Sequence, residues 1–133
     1  MRDFNLNHWL LVGPGAVGLY YGGRIAQSEH LGVLARSSVY EIDTNGICIE
    51  MVDPESGQTR EQIRCPVEYA TTRSDEIHSS DCVIIATKST ANEHLIKPLK
   101  SIIRSERTII LCLQNGMGNI ELFAKYFPEN PIV

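Results

Sequence analysis

Long apolar runs are absent from this sequence of 133 residues, and their absence bears on where the protein works. The apolar runs that do occur fall far short of the roughly 20 residues that a membrane-spanning helix needs. The first residues also lack the extended apolar segment of a secretory signal peptide. We therefore expect a cytoplasmic protein with no membrane partner.

Paired cysteines and clustered histidines are absent as well. The cysteines lie far apart without a Cys-x-x-Cys pair, and the histidines show no metal-ligand spacing. Such cysteines are typical of buried free thiols in a reducing compartment. The sequence predicts no metal site, and it predicts buried free thiols at Cys48, Cys65, Cys82 and Cys112.

The sequence also has little positive charge. Its 12 Lys and Arg residues are outnumbered by 16 Asp and Glu residues, so the formal net charge is −4. No cluster of basic residues stands out, which argues against a nucleic-acid partner. An anionic ligand must then be held by a few placed donors, because the overall field of the protein does not attract it.

The composition is that of one folded domain, in which predicted strands and helices alternate. Short apolar runs predict strands at 8–12, 31–35, 67–70, 81–87 and 108–114. Helical patterns occupy 15–28, 37–45, 90–103 and 119–127, and residues 130–133 look like the start of another strand. Turn signals between 47–52 and 59–65 predict a β-hairpin inserted before the third core strand. This order implies a mostly parallel sheet with helices on both faces.

Several helix details can be predicted from local patterns. Ser38 and Glu41 have the spacing of a capping box, and Gly46 suits the position just past the end of the same helix. Pro98 is expected to kink its helix or to end the first part of it. Three residues of the last helix are predicted to face inward: Leu122, Phe123 and Tyr126.

Residues 13–18, GPGAVG, fit the pattern G-x-G-x-x-G between a predicted strand and a predicted helix. In this context Gly13 permits the tight turn, Gly15 lets the backbone approach a pyrophosphate, and Gly18 lets the helix lie close to the sheet. The N–H groups at the helix start are expected to bind the phosphates. The motif therefore predicts a Rossmann-type, doubly wound α/β domain that binds a dinucleotide, although a glycine-rich turn without a ligand is the alternative. The predicted contact residues are Gly13, Pro14, Gly15, Ala16, Val17 and Gly18.

Two further glycines continue along the same predicted helix. Gly22 lies four residues after Gly18 and so shares its face, which indicates close backbone packing. Gly23 lies off that stripe, and either packing against the second strand or room for another domain would explain it.

The end of the second predicted strand indicates which dinucleotide is bound. NAD-binding domains usually place Asp or Glu there, about 20 residues past the glycine motif, whereas this chain has Arg36. A carboxylate would repel a 2′-phosphate, and a guanidinium can bind it with paired, charge-assisted hydrogen bonds. Ser37 could add a hydroxyl or a backbone N–H. The sequence thus favours NADP(H), with a surface arginine of no function as the alternative.

Polar residues also follow two later predicted strands. Lys88 comes after the strand at 81–87, and Asn115 follows the strand at 108–114. Ligands of open α/β sheets bind outside the carboxyl ends of the strands, so both residues are candidates for the same site. A solvated loop lysine and a plain Asn-Gly turn are the competing interpretations.

Several stretches together resemble the N-terminal domain of the ketopantoate reductase (2-dehydropantoate 2-reductase) family, from about His8 to Pro128. These stretches are VGPGAVGLYYGGRIA, VLARSS, NGICIE, DCVIIATKS and LCLQNGMGNIE, in this order. The resemblance implies an enzyme that reduces 2-dehydropantoate to pantoate with NADPH, on the route to pantothenate and coenzyme A. It implies that Arg36 holds the 2′-phosphate, that Lys88 contacts the cofactor, and that Asn115 lies near the nicotinamide and the substrate.

The resemblance also implies a division of labour within the enzyme. Residues 1–133 would form the NADP(H)-binding domain, while the proton-donating lysine and the residues that hold the 2-oxoacid substrate lie in a helical C-terminal domain outside this chain. No residue here is therefore assigned a certain catalytic role, and we expect NADPH binding with little or no turnover. A missing partner domain would leave an apolar patch, so a homodimer is conceivable.

Two other functions are compatible with the same residues. One is the NADP-binding domain of another 2-oxoacid or opine-type reductase, which would share the fold and differ in substrate. The other is a stand-alone NADP(H)-binding regulatory module. Sequence following Val133 would distinguish the three.

Overall fold

A computed structural model describes residues 5–133. Its strands are β1 His8–Val12, β2 His30–Leu34, β3 Ile47–Val52, β4 Thr59–Cys65, β5 Tyr69–Thr71, β6 Cys82–Ile85 and β7 Ile109–Cys112. Its α-helices are α1 Ala16–Ala26, α2 Val39–Asn45, α3 Asn92–Ile102 and α4 Asn119–Tyr126, and short 3₁₀ turns lie at Ser74–Glu76 and Ser89–Ala91. In this part of the chain no helix is both long and apolar enough to cross a membrane.

The central sheet has five strands in the order β5-β2-β1-β6-β7, and every pairing in it is parallel. Ile132 adds a parallel bridge to Ile110, so the predicted strand start at 130–133 is confirmed as an extension of this sheet. Strands β3 and β4 form a separate antiparallel hairpin ahead of β5. The doubly wound α/β fold and the inserted hairpin are therefore confirmed.

Successive strand residues point to opposite faces of the sheet. The sheet therefore has an apolar core on each face, and helices cover both. Leu10 belongs to a core that includes Leu99 of α3 and Phe123 of α4. Leu11, its neighbour in β1, belongs to a second core with Ile47 and Ile49 of the hairpin. Leu10–Val12 of β1 and the whole of β6 can be continuously apolar because neither face of them meets water.

Helix α1 lies between the sheet and the hairpin, and its glycines allow both contacts. A Cβ at Gly22 would lie 3.0 Å from Leu11 Cδ2, so Gly22 packs closely on the sheet as predicted. A Cβ at Gly23 would lie 2.7 Å from Ile49 Cδ1. Gly23 therefore packs against the hairpin rather than against β2.

Two local predictions about helix termini had different outcomes. The capping box is wrong: Ser38 precedes α2 with φ 60° and ψ 15°, and its side chain makes no capping hydrogen bond. A capping serine needs extended backbone to reach the helix N–H groups, and the left-handed conformation prevents this. Gly46 does end α2 with φ 74°, and its N–H donates to the Ile42 carbonyl at 2.8 Å.

Pro98 does not end its helix, because α3 runs from Asn92 to Ile102 with the proline inside it. The proline removes one helical hydrogen bond, but Leu99 and Ile102 on the same helix are buried against the sheet. Burial of this apolar face offsets the missing bond. The tertiary contact, which no local pattern reveals, thus outweighs the local signal.

The inward face of α4 is predicted correctly at Phe123, which is fully buried. Tyr126 was predicted to face inward and is instead 37% exposed, with its ring against the ammonium groups of Lys100 and Lys125. The buried position belongs to Phe127, the next residue. The hydroxyl of a tyrosine is more easily satisfied in water, whereas phenylalanine has no polar group to satisfy.

The four cysteines are free, as predicted, but they are not all buried. Cys48 is exposed on the outer side of the hairpin, so the expectation of burial is wrong there, and Cys112 is only partly buried. Alternation within strand β3 turns Ile47 and Ile49 inward and Cys48 outward. Burial raises the pKa of the Cys82 thiol to about 12 and that of Cys112 to about 11.

Candidate functional site

The carboxyl ends of the parallel strands bring the candidate residues to one edge of the sheet. The N–H of Gly13 donates to the Leu34 carbonyl at 3.3 Å, which joins the loops after β1 and β2. The N–H of Leu113 donates to the Ile85 carbonyl at 2.9 Å, which joins the ends of β6 and β7. The loops that follow these strands are therefore neighbours.

A cleft of about 800 Å³ opens at this edge. Six of the residues predicted from the sequence line it: Gly13, Pro14, Gly15, Arg36, Ser37 and Lys88. The other predicted contact residues lie elsewhere: Ala16 and Val17 are exposed at the start of α1, Gly18 is buried, and Asn115 is exposed outside the cleft lining. The structure thus unites the glycine loop with the two cationic candidates.

The three glycines of the motif have different surroundings. Gly13 has φ +92°, and a Cβ there would lie 2.6 Å from Thr87 Cγ2, so the turn requires glycine. A Cβ at Gly15 would meet no atom within 4 Å, which leaves the backbone accessible from the cleft. A Cβ at Gly18 would collide with the Gly13 carbonyl oxygen, so the helix rests on the turn itself.

The N-terminus of α1 is open to a ligand. Gly15 precedes the helix, no side chain caps it, and the first turn contains no acidic residue. The first hydrogen bond of the helix runs from the Leu19 N–H to the Gly15 carbonyl at 2.8 Å. The N–H groups of Ala16 and Val17 precede that bond and remain free for an anion.

The cleft is suited to an anion in its side chains as well. Arg36 and Lys88 are both exposed, and neither takes part in an ion pair within residues 5–133. Among residues 5–133, no aspartate or glutamate lines the cleft. Two cations without ion pairs, and no carboxylate among the described lining residues, give this cleft a local positive charge in a protein whose net charge is −4.

Sequence reasoning did not identify several polar residues of the cleft, among them Thr72, Thr87 and His94. Thr72 directly follows β5, so the rule that ligands bind at the carboxyl ends of strands would have found it. Thr87 is the second residue after β6 and follows the same rule. His94 reaches the cleft from the first turn of α3, and no sequence signal marks it.

A network of buried and partly buried amides, which we call the amide network, lies behind the cleft and was also missed. It consists of Gln114, Asn92 and Asn119. Gln114 Nε2 lies 2.9 Å from the Thr87 carbonyl oxygen and 2.7 Å from Asn92 Oδ1. Asn92 Nδ2 donates to Asn119 Oδ1 at 2.9 Å. A sequence signal was present, because Asn92 shares a helix face with Ile96 and Leu99, and a polar residue on an apolar face is a buried one.

Comparison with known proteins places these features in a family. The model of the ketopantoate reductase PanE/ApbA family matches residues 9–133. The chain belongs to the ketopantoate reductase family. A relative from Streptococcus pyogenes serotype M1, a 2-dehydropantoate 2-reductase, is 27% identical over 126 residues, which are 92% of this chain and 38% of the relative. The chain therefore spans less than half of the length of the curated relatives it matches.

Solved structures show the same family likeness. The crystal structure of 2-dehydropantoate 2-reductase from Geobacter metallireducens GS-15 is 31% identical with a TM-score of 0.68, and the match covers 90% of this chain and 38% of that protein. A ternary structure of D-mandelate dehydrogenase with NADH and anilino(oxo)acetate is 22% identical with a TM-score of 0.70, covering 93% of this chain and 38% of that protein. The second likeness shows the fold alone.

Proposed function

We propose that this chain is the NADP(H)-binding domain of an enzyme that reduces 2-dehydropantoate (ketopantoate) to pantoate with NADPH, on the route to pantothenate and coenzyme A. The observation that carries the proposal is the placement of the loop 13–15, Arg36 and Lys88 around one cleft. Membership of the ketopantoate reductase family and relatives that are 2-dehydropantoate 2-reductases support the same reaction.

The residues present fit the dinucleotide. The open space at Gly15 and the uncapped N-terminus of α1 suit a pyrophosphate, which needs close backbone approach and free N–H donors. When bound, the cofactor supplies the hydride that reduces the ketone. This chain would bind the phosphates, orient the cofactor along the strand ends, and present Asn115 beside the nicotinamide and the substrate.

The choice of NADP(H) rests on Arg36. The D-mandelate dehydrogenase neighbour was solved with NADH, so the fold by itself does not select between the two cofactors. Within the described part of the chain, the Arg36 guanidinium makes no ion pair and its cleft is lined by no carboxylate, which favours a cofactor that carries an additional phosphate. Ser37 and Lys88 lie on the same cleft and would add hydrogen bonds and charge.

The test is a binding titration of Arg36→Ala with both cofactors. We expect NADPH binding to weaken by about 1.5–3 kcal/mol, the usual value of a charged hydrogen bond, and NADH binding to weaken much less. Arg107→Ala is the matched control, since Arg107 is exposed and precedes β7 at the opposite edge of the sheet. Equal losses for both cofactors in Arg36→Ala would refute the assignment of the 2′-phosphate site.

We further propose that a helical C-terminal domain completes the enzyme. The relatives are much longer than this chain. Lys88 lies on the cleft, but we assign it to cofactor binding rather than to proton donation, so the proton donor is expected elsewhere. The chain should therefore bind NADPH but oxidise it slowly with ketopantoate. Assays of this chain and of the full reading frame decide the point, with other 2-oxoacids as competing substrates, and full activity in residues 1–133 would contradict it.

A cytoplasmic location is part of the same proposal. The four cysteines form no disulfide in the structure. Free thiols persist in reducing compartments, which is also where NADPH is used for biosynthetic reduction.

A further inference from the structure

We propose that the amide network positions Asn115 for the nicotinamide half of the cofactor. The inference rests on the proposed function, since it assigns new positioning residues, Asn92 and Asn119, to the same site. These residues would act through the loop after β7 and would not touch the cofactor themselves.

The first observation is that the amide network connects two neighbouring strand ends. Gln114 follows β7, and its side-chain amide donates to Thr87, which follows β6 and lines the cleft. Asn92 begins α3, and Asn119 begins α4. The loop that carries Asn115 is therefore fixed to the loop that carries Lys88, although no direct contact between the two candidate residues is needed.

The second observation is the direction of the hydrogen bonds. Gln114 Nε2 must donate, because one of its partners is the Thr87 carbonyl oxygen, and this fixes the orientation of the Gln114 amide. Asn92 then accepts from Gln114 and donates to Asn119. Asn119 Nδ2 finally donates to the carbonyl oxygens of Asn115 at 3.2 Å and Gly116 at 3.3 Å. Hydrogen bonds ordered in this way strengthen one another.

The third observation concerns the loop that receives these bonds. Gly116 has φ +100° and Gly118 has φ +86°, and a Cβ at either position would meet no atom within 4 Å. Neither glycine packs against anything at the side-chain position, so packing does not hold this part of the backbone. Asn119 holds it by the carbonyls, which leaves the exposed side chain of Asn115 available for a ligand.

The fourth observation is that the amides occupy places suited to apolar residues. Asn92 is 1% exposed and Asn119 is 7% exposed, on helix faces shared with Ile96 and Phe123. Within the described part of the chain, Gln114 Oε1 is buried without a hydrogen-bond partner. A buried polar atom without a partner is costly to stability, so the network carries a cost at Gln114 that points to a role in the geometry of the neighbouring loop.

The experiment compares two ligands that differ only at the nicotinamide. NADPH and 2′-phospho-ADP-ribose share the 2′-phosphate and the pyrophosphate, and the second ligand lacks the nicotinamide. In Asn119→Ala we expect the Kd of NADPH to rise about tenfold, or ~1.4 kcal/mol. The Kd of 2′-phospho-ADP-ribose should stay within about twofold of the unmodified protein, and the fluorescence of bound dihydronicotinamide should fall toward that of free NADPH.

Asn130→Ala is the matched control. Asn130 Nδ2 also donates to two backbone carbonyls, those of Ser105 and Thr108, both at 2.9 Å. These bonds precede β7 at the other edge of the sheet, so this variant should leave the affinities for both ligands unchanged. Thermal unfolding of each variant shows that the comparison is made between folded proteins.

A second variant keeps the test decisive if Asn119→Ala does not fold. Asn119→Asp has nearly the same shape and retains the acceptor for Asn92 Nδ2, but it offers no N–H to the loop carbonyls. It should reproduce the selective loss of NADPH affinity. If an Asn119 variant weakens both ligands equally, or neither of them, the positioning role is overturned. If the unmodified protein binds neither ligand, the proposed function itself fails.

Discussion

The loops after β2 and β7 lie at the same edge of the sheet but are built in opposite ways. Arg36, Ser37 and Ser38 after β2 are all exposed, and within residues 5–133 no side-chain hydrogen bond holds them. The backbone after β7 accepts two hydrogen bonds from a buried asparagine. One loop thus presents a free side chain on a backbone that no side chain restrains, and the other presents an exposed side chain on a backbone held by a buried asparagine.

This difference corresponds to two kinds of recognition. A phosphate is a compact dianion that a long, mobile guanidinium can follow, so the β2 loop needs charge more than rigidity. A reacting ring must be held at a defined angle, and small displacements there are costly. The glycine loop after β1 combines both requirements, because one of its glycines faces open space and two are enclosed by backbone or side-chain atoms.

The largest effect should come from the glycine loop, where fold and ligand site can be separated. In Gly18→Ala the new Cβ would collide with the Gly13 carbonyl oxygen, and we expect a loss of about 3 kcal/mol in the free energy of unfolding, the upper range for overpacking. Gly15→Ala has room for its methyl group and should lose less than about 1 kcal/mol.

NADPH titration completes that comparison. The methyl group of Gly15→Ala would fill the space assigned to the pyrophosphate, so binding should weaken at least about tenfold, or ~1.4 kcal/mol. Chemical denaturation measures the stability of each variant, and fluorescence titration measures the affinity. Similar stability losses in the two variants would contradict the separation of fold and ligand site, and unchanged NADPH affinity in Gly15→Ala would remove its assigned role at the pyrophosphate.

The next largest effect should come from the amide network. Asn92→Ala leaves Asn119 Oδ1 buried without a donor, and an unsatisfied buried acceptor costs about 1–3 kcal/mol. We expect the free energy of unfolding to fall by that amount. Arg36→Ala, in the exposed loop, should change it by less than about 0.5 kcal/mol. Urea unfolding of both variants tests whether the two sites contribute differently to the free energy of unfolding. Equal losses would remove this difference between the β2 loop and the amide network.

The sheet edge could be predicted from the sequence because it follows from short-range patterns and one geometric rule. Apolar runs locate β1 and β6, and parallel strands place the residues that follow them at a common edge. Arg36 and Lys88 could therefore be assigned to one cleft without knowledge of any tertiary contact. The glycine motif could be assigned to a dinucleotide site from its position between a predicted strand and a predicted helix alone.

The parts that could not be predicted depend on contacts distant in sequence. Gly23 packs against Ile49 of the hairpin, which no local pattern reveals. The hydrogen bond between Asn92 and Asn119 joins residues 27 positions apart. The capping box at Ser38 shows the reverse error, in which a correct local spacing fails because the backbone leaves β2 in a conformation that the spacing does not encode.

The smallest effect should come from Ser38. Because its backbone is left-handed, substitutions there test whether the β2 loop only lacks side-chain hydrogen bonds or is also strained. Within the described range, Ser38 is the one non-glycine residue with positive φ. Such a conformation costs an ordinary residue about 1 kcal/mol or more, while glycine adopts it freely but loses more entropy on folding. Ser38→Gly should therefore raise the free energy of unfolding by about 0.5–1 kcal/mol.

Ser37→Gly is the internal control for this prediction. Ser37 is equally exposed in the same loop but has no positive φ, so glycine there should lower stability or leave it unchanged. Urea unfolding resolves the opposite signs of the two effects even though both are small. If the two substitutions shift stability in the same direction, Ser38 stores no strain, and the β2 loop differs from the β7 loop only in its lack of side-chain hydrogen bonds.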